Sequence, residues 1–247
     1  MSFEPEDLPI GESIETEPGV VVQRRCFLKV ASILLGAIAV PGLAPLRLGA
    51  TKNPELSIEE FLAKAVPVAE AMLKNPDLVG QDQYLLTIAS LAVRLGPISQ
   101  PDFRETPKAG RGTFIGGSGM SKPVIVLHWK MNPGSEIRRH AHTYGNVVTL
   151  GLEGVAHVEN FEVMGERNYD SPDAFRVRRT LSQRLTPGGT NLVNLERNYV
   201  HGFQAGSSGA RGLDITTRIH ERRPTPYLVL GKQDKEDSRV FAGQWTE

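Results

Sequence analysis

Apolar positions change their spacing about two fifths of the way along the chain. In SIEEFLAKAVPVAEAMLKN, Phe61, Leu62, Ala65, Val66, Ala69 and Met72 recur three and four residues apart, the period of one helix face. Ser57 with Glu60 opens this run as a capping box, and Pro67 in its middle is expected to bend it or divide it into a pair. A second apolar run, Tyr84 to Leu95, stops at Gly96-Pro97. From Gly110 the pattern becomes short runs of Val, Ile, Leu and Thr, broken by Gly-Gly, Asn-Pro-Gly and Pro-Gly-Gly. In VIVLHWKM, Ile125, Leu127, Trp129 and Met131 alternate with Val124, Val126, His128 and Lys130, so one face of a strand is strongly apolar and His128 lies opposite Trp129. Similar alternation returns at Val147–Leu152 and Leu213–Ile219. Many short strands without intervening helices predict an all-β sandwich or barrel of the jelly-roll kind, preceded by a small helical layer.

The first fifty residues follow neither pattern. Val30–Val40 is a continuous apolar run, well short of the roughly 18 residues of a membrane span. It follows Arg24-Arg25 in RRCFLK, and Ala37-Ile38-Ala39 supplies a small-x-small cleavage pattern, with Leu48-Gly49-Ala50 as a weaker second. Together they read as a twin-arginine export signal cut near Ala39, which implies the export machinery as a partner and a periplasmic or extracellular destination. The expected organisation is residues 1–50 as signal and leader, 51–108 as helical layer, 109–231 as barrel and 232–247 as a C-terminal tail.

Charge and cysteine content narrow the chemistry. The 28 basic and 28 acidic residues balance, so the whole-chain charge gives no reason to expect a nucleic-acid partner. The single cysteine, Cys26, falls inside the signal. A mature chain therefore has no disulfide, thiolate ligand or thiol nucleophile, and any metal must be held by His or carboxylate.

His140 and His142 lie two apart in a strand-like run, so both point to one face, roughly 6.5–7 Å apart along the chain, and can converge on one ion. His201, in NLERNYVHGFQ after the Pro187-Gly188-Gly189 turn, is the best third ligand, with His157 or Glu159 as alternatives. Three imidazoles suit Fe(II), Zn, Ni or Cu. Arg138 shares parity with His140 and His142 and is a candidate for binding an anionic substrate group. Tyr199 and Phe203 share parity with His201, which predicts a hydrogen-bond donor and an apolar wall in the same cavity. Core packing alone also accounts for both.

The stretch PGSEIRRHAHTYGNVVTLGLEG resembles the first cupin motif, with Gly134, His140, His142 and Gly154 on the pattern and Val147 where the motif places a Glu ligand. His201 matches the second motif in part. The resemblance, covering roughly residues 110 to 220, implies a double-stranded β-helix. The absent Glu is similar to the thiol dioxygenase branch, cysteine dioxygenase and its relatives, in which three histidines hold Fe(II). Carried over, it implies an oxygenase that uses O2 on a small thiol, with His140, His142 and His201 as ligands and Arg111 as a carboxylate clamp; strand parity, not the resemblance, adds Arg138 as the other clamp candidate, Phe203 against the substrate and Tyr199 in a catalytic role, since the family's late Tyr has no match in ITTRIH at 215–220. The other candidate functions are an exported binding module and a cupin enzyme that uses Zn or Mn.

Overall fold

The computed structural model describes residues 55–221 and 224–246. The expected signal, with Arg24, Arg25 and the cleavage site near Ala39, lies outside the described residues.

Helix α1 (Ile58–Lys74) begins where the capping box places it: Glu60 N–H donates to Ser57 Oγ at 3.1 Å and Ser57 N–H to Glu60 Oε2 at 2.9 Å. Phe61, Ala65, Ala69 and Met72 form its buried stripe. The expected break at Pro67 does not occur. Pro67 and Ala63, whose carbonyl loses its amide partner, are both exposed, so that carbonyl is open to solvent and the helix runs on. Helix α2 (Leu78–Ala92) starts six residues ahead of the apolar run that marks it, because Asp77 accepts from Gly80 N–H at 2.6 Å and caps the extra turn. Leu56 N–H donates to the Arg94 carbonyl and Gly96 N–H to the Leu56 carbonyl, which ties the outer ends of the two helices together.

Ten strands follow: β1 (Arg104–Glu105), β2 (Thr113–Ser121), β3 (Val124–Met131), β4 (Glu136–Ala141), β5 (Gly145–Val163), β6 (Phe175–Leu185), β7 (Thr190–Val193), β8 (Val200–Arg218), β9 (Tyr227–Gln233) and β10 (Val240–Thr246). β5 and β8 are 19 residues each and pair antiparallel along almost their whole length, so each serves two sheet regions. Their Gly145–Gly154 and Ala210–Arg218 halves lie among β3, β7, β2 and β1. The other halves lie between β4 and β6. The result is the all-β, cupin-like double-stranded β-helix with a helical layer in front.

Alternation assigns each face of the first region. Val124, Val126, Val148, Leu150, Leu213 and Ile215 pack against Phe61, Ala65, Ile88 and Ala92 of the helices. The opposite face carries Trp129 and Met131 into a second core with Ile137, Val158, Leu185 and Phe203.

The described part of the expected tail, residues 232–246, holds the end of β9 and all of β10. β10 pairs with β6 and β9, and the β5–β8 pairing closes β8, β4, β9, β10, β6 and β5 into a ring. Each of the six strands contributes to one core: Ala141, Phe161, Val177, Val200, Leu228 and Trp245, with Tyr199 among them. Burial alternates only at the end of β10, with Gly243 and Trp245 buried and Gln244 and Thr246 exposed, and its β6 partners lie 60 or more residues earlier in sequence. At the other boundary, β1 pairs with β2, so the sheet starts ahead of residue 109.

Candidate metal centre

His140 near the end of β4 and His201 at the start of β8 are direct cross-strand partners. His142 lies just past β4, held by its own N–H donating to the Tyr199 carbonyl at 2.8 Å. His142 and His201 are buried and His140 is half-buried. The His201 Nε2 stands 2.9 Å from His142 Nε2 and 3.2 Å from His140 Nε2, and one ligand atom from each ring lies within 4.8 Å of the others. Among the described residues this is the only cluster of three or more His, Cys, Asp or Glu side chains able to hold a metal ion, and it contains no carboxylate. Val147, at the place of the motif's Glu, is fully buried and pairs with Thr216 and Val193.

The proton count on these rings decides whether a cation fits. His140 Nδ1–H donates to the Arg138 carbonyl at 2.8 Å, which leaves its Nε2 lone pair facing the cluster. Enclosure lowers the pKa of His140, and enclosure plus mutual repulsion takes His142 and His201 well below the ordinary imidazole value. Neutral rings are what a metal needs. With nitrogen-to-metal bonds of about 2.1 Å, ligands at right angles stand about 3.0 Å apart and tetrahedral ones about 3.4 Å. The 2.9 and 3.2 Å separations lie close to this range.

Two buried asparagines lie behind His201. Asn191 on β7 donates from Nδ2 to His201 Nδ1 at 3.2 Å, and Asn160 on β5, the cross-strand partner of His201, donates to Asn191 Oδ1 at 2.9 Å. In this arrangement the ring proton of His201 sits on Nε2 and serves His142. Loading a metal requires that proton on Nδ1, with the Asn191 amide turned to present its oxygen. Asn160 then turns as well to accept from Asn191, and its own Oδ1, buried without a partner, is free to do so. Phe203 packs at 4.7 Å against His201 and stacks at 5.5 Å on Trp129, walling the cluster on that side.

The remaining expected site residues are elsewhere. Arg111 is exposed, in the turn ahead of β2, and does not join the histidines. Arg138 does not follow strand parity: Ile137 pairs with Phe203 and His140 with His201, three steps on β4 against two on β8, and the extra residue is a bulge. Its guanidinium lies 4.2 Å over the Tyr227 ring and donates to the Lys108 carbonyl at 3.3 Å and Thr246 Oγ1 at 3.1 Å. Tyr199 belongs to the core of the closed ring. β8 begins at Val200 after Asn198 with φ 55°, so alternation does not extend back to residue 199. The Tyr199 hydroxyl accepts from Val163 N–H, and burial pushes its pKa up to about 12. His157 hydrogen-bonds Ser182, and Glu159 is held by Arg139 and Arg179 at 2.8 and 2.9 Å, so neither alternative ligand reaches the cluster.

Sequence reasoning missed Asn191, Asn160 and Tyr227. Tyr227 is the β9 partner of His140, with ring centroids 6.3 Å apart. The asparagines had one signal, since each shares its strand parity with apolar residues, Ala156 and Val158 for Asn160 and Val193 for Asn191.

No protein-family model matches the sequence, and no curated protein matches it. Solved structures similar to the chain include the polyketide cyclase RemF from Streptomyces resistomycificus, at 15% identity over 56% of this chain and 88% of that one, with a TM-score of 0.38. KdgF from Halomonas sp. is 16% identical over 49% of this chain and 89% of that one, with a TM-score of 0.35. An RmlC-like cupin from Shewanella frigidimarina is 20% identical over 51% of this chain and 94% of that one, with a TM-score of 0.35.

Proposed function

We propose that the protein is a metal-dependent oxygenase of the thiol dioxygenase type, with Fe(II) held by His140, His142 and His201 and a small thiol as substrate. The observation that carries it is the convergence of three imidazoles, two buried and one half-buried, with no carboxylate among them. When bound, Fe(II) supplies open positions for a thiol and O2, and the balanced reaction is R–SH plus O2 to R–SO2H. The chain's part is to place and protect. His140 is oriented by the Arg138 carbonyl and His201 by Asn191, while Phe203 and Trp129 exclude water from one side. Export by the twin-arginine route to the periplasm or beyond, as a folded metalloprotein, belongs to the same proposal and rests on Arg24, Arg25 and the apolar run behind them.

One observation favours a second reading. The groups expected from sequence to serve substrate and catalysis do not gather at the histidines: Arg111 is exposed and the Tyr199 hydroxyl is turned to Val163. An exported binding module, or an enzyme that uses Zn or Mn, needs neither group. O2 uptake by iron-loaded protein decides between them. Uptake stoichiometric with one thiol among cysteine, 3-mercaptopropionate and cysteamine supports the oxygenase. No uptake with any of the three, together with Zn or Mn in the exported protein, supports the other.

A further inference from the structure

Deeper in the barrel, on the sheet region that carries Asn191, one carboxylate faces the interior without a cation. Because Val126, Val148, Leu213 and Ile215 face the helices, their strand neighbours Leu127, Thr149 and Asp214 face inward, as do Trp129 and Asn191. Asp214 is the cross-strand partner of both Leu127 and Thr149, and Thr149 Oγ1 donates to its Oδ1 at 2.7 Å. Thr149 is in turn the cross-strand partner of Asn191, the residue that touches His201. Two cross-strand steps of about 5 Å each put the Asp214 backbone roughly 10 Å from that of Asn191, a gap that the inward-pointing side chains narrow.

Three details mark this place as a ligand subsite rather than packed core. Asp214 forms no ion pair among the described residues, although Lys and Arg pair with Asp or Glu at seven other contacts. The Trp129 indole N–H acts on the same carboxylate but, buried, makes no hydrogen bond of full geometry. Gly212 is what lets the indole lie here, since a Cβ at that position would meet Trp129 Cζ2 at 2.2 Å. Ile125, Leu127 and Asp214 face inward and are nevertheless only half-buried, so part of this inner face is reached by solvent.

We propose that Asp214 anchors the ammonium group of a small amine-bearing substrate whose other end reaches the three histidines. Under the three-histidine reading above, on which the far end of the substrate rests, this selects an aminothiol over a mercaptocarboxylate. The charges argue the same way. An inward carboxylate attracts a cation and repels an anion, while neither candidate carboxylate clamp is free inside, Arg111 being exposed and Arg138 engaged by Tyr227, Lys108 and Thr246. Enclosure also pushes the Asp214 pKa up to about 6, which leaves it largely ionised at neutral pH and without a charge partner of its own.

Cysteamine and 3-mercaptopropionate share a two-carbon thiol and differ in the charge at the far end, so they form the test pair. Titrated calorimetrically and anaerobically into full-length, metal-loaded protein at pH 7.5, cysteamine binds about 10- to 100-fold tighter, the range of one charge-assisted hydrogen bond. Asp214→Asn, which keeps the size and the acceptor for Thr149, abolishes that preference. Equal affinity for the two, tighter 3-mercaptopropionate, or a preference that survives Asp214→Asn overturns the proposal. The wild-type comparison stands without the variant. Metal content measured on the same samples separates the two readings: protein that holds no metal refutes the metal centre, and cysteamine titrated into that protein and into Asp214→Asn still tests the anchor alone.

Discussion

Asp214→Asn makes the protein more stable at neutral pH. The native-state pKa of Asp214 is raised from the ordinary 3.8 to about 6 because the barrel encloses it, with the Thr149 hydroxyl and Trp129 indole pulling the other way. A raised carboxylate pKa means that the native state prefers the neutral form, so ionising it costs native stability. The cost is absent below about pH 4, grows as pH rises through the interval to 6 and is complete above it. About two pH units at about 1.36 kcal/mol each set an upper bound near 3 kcal/mol. Asp214 keeps some contact with solvent, so screening reduces this to about 1–3 kcal/mol. Asparagine carries no such cost and keeps the Thr149 hydrogen bond. Thermal melts of both proteins without ligand therefore show the variant higher by roughly 2–12 °C at pH 7.5, with the gap closing toward pH 4.5. A variant equal to or less stable than wild type at pH 7.5, or a gap independent of pH, refutes the reasoning about Asp214.

Three further outcomes follow from named contacts. Asn191→Leu weakens metal binding by about 10- to 100-fold in a chelator competition, because His201 loses the partner that sets its proton, while Asn191→Asp, a pure acceptor, binds at least as tightly as wild type. Deleting residues 234–247 removes β10 and Trp245 from the closed ring and yields a chain without a cooperative melt. The single change Trp245→Ala costs about 3–5 kcal/mol in urea unfolding. Arg111→Ala leaves metal content and the affinity for cysteamine within a factor of two of wild type, since its side chain is exposed in the turn ahead of β2.

The parts of this structure governed by short sequence intervals were legible. A capping box four residues long placed the start of α1, and the His-x-His spacing with a later His201 picked out the three rings that converge. Interval reasoning fails where one residue shifts the phase. The bulge between Ile137 and His140 takes Arg138 off the histidine face, and the left-handed Asn198 detaches Tyr199 from the alternation of β8. Long-range pairing is the other limit. Nothing near Val240–Thr246 shows that β6, more than 60 residues earlier, is its partner, so a ring-closing strand reads as a tail. Asn160, Asn191 and Asp214 are legible only once register puts them beside His201 and Thr149, because a lone polar residue in an apolar strand does not name its partner.

The most direct test of the central claim is metal stoichiometry by mass spectrometry on full-length protein, set beside the single variants His140→Ala, His142→Ala and His201→Ala. The three-histidine centre predicts close to one transition-metal ion per wild-type chain and a loss of at least tenfold in metal affinity in each variant, with the fold intact by circular dichroism. Wild-type protein that takes up no metal, or three variants that hold it as well as wild type, contradicts the account.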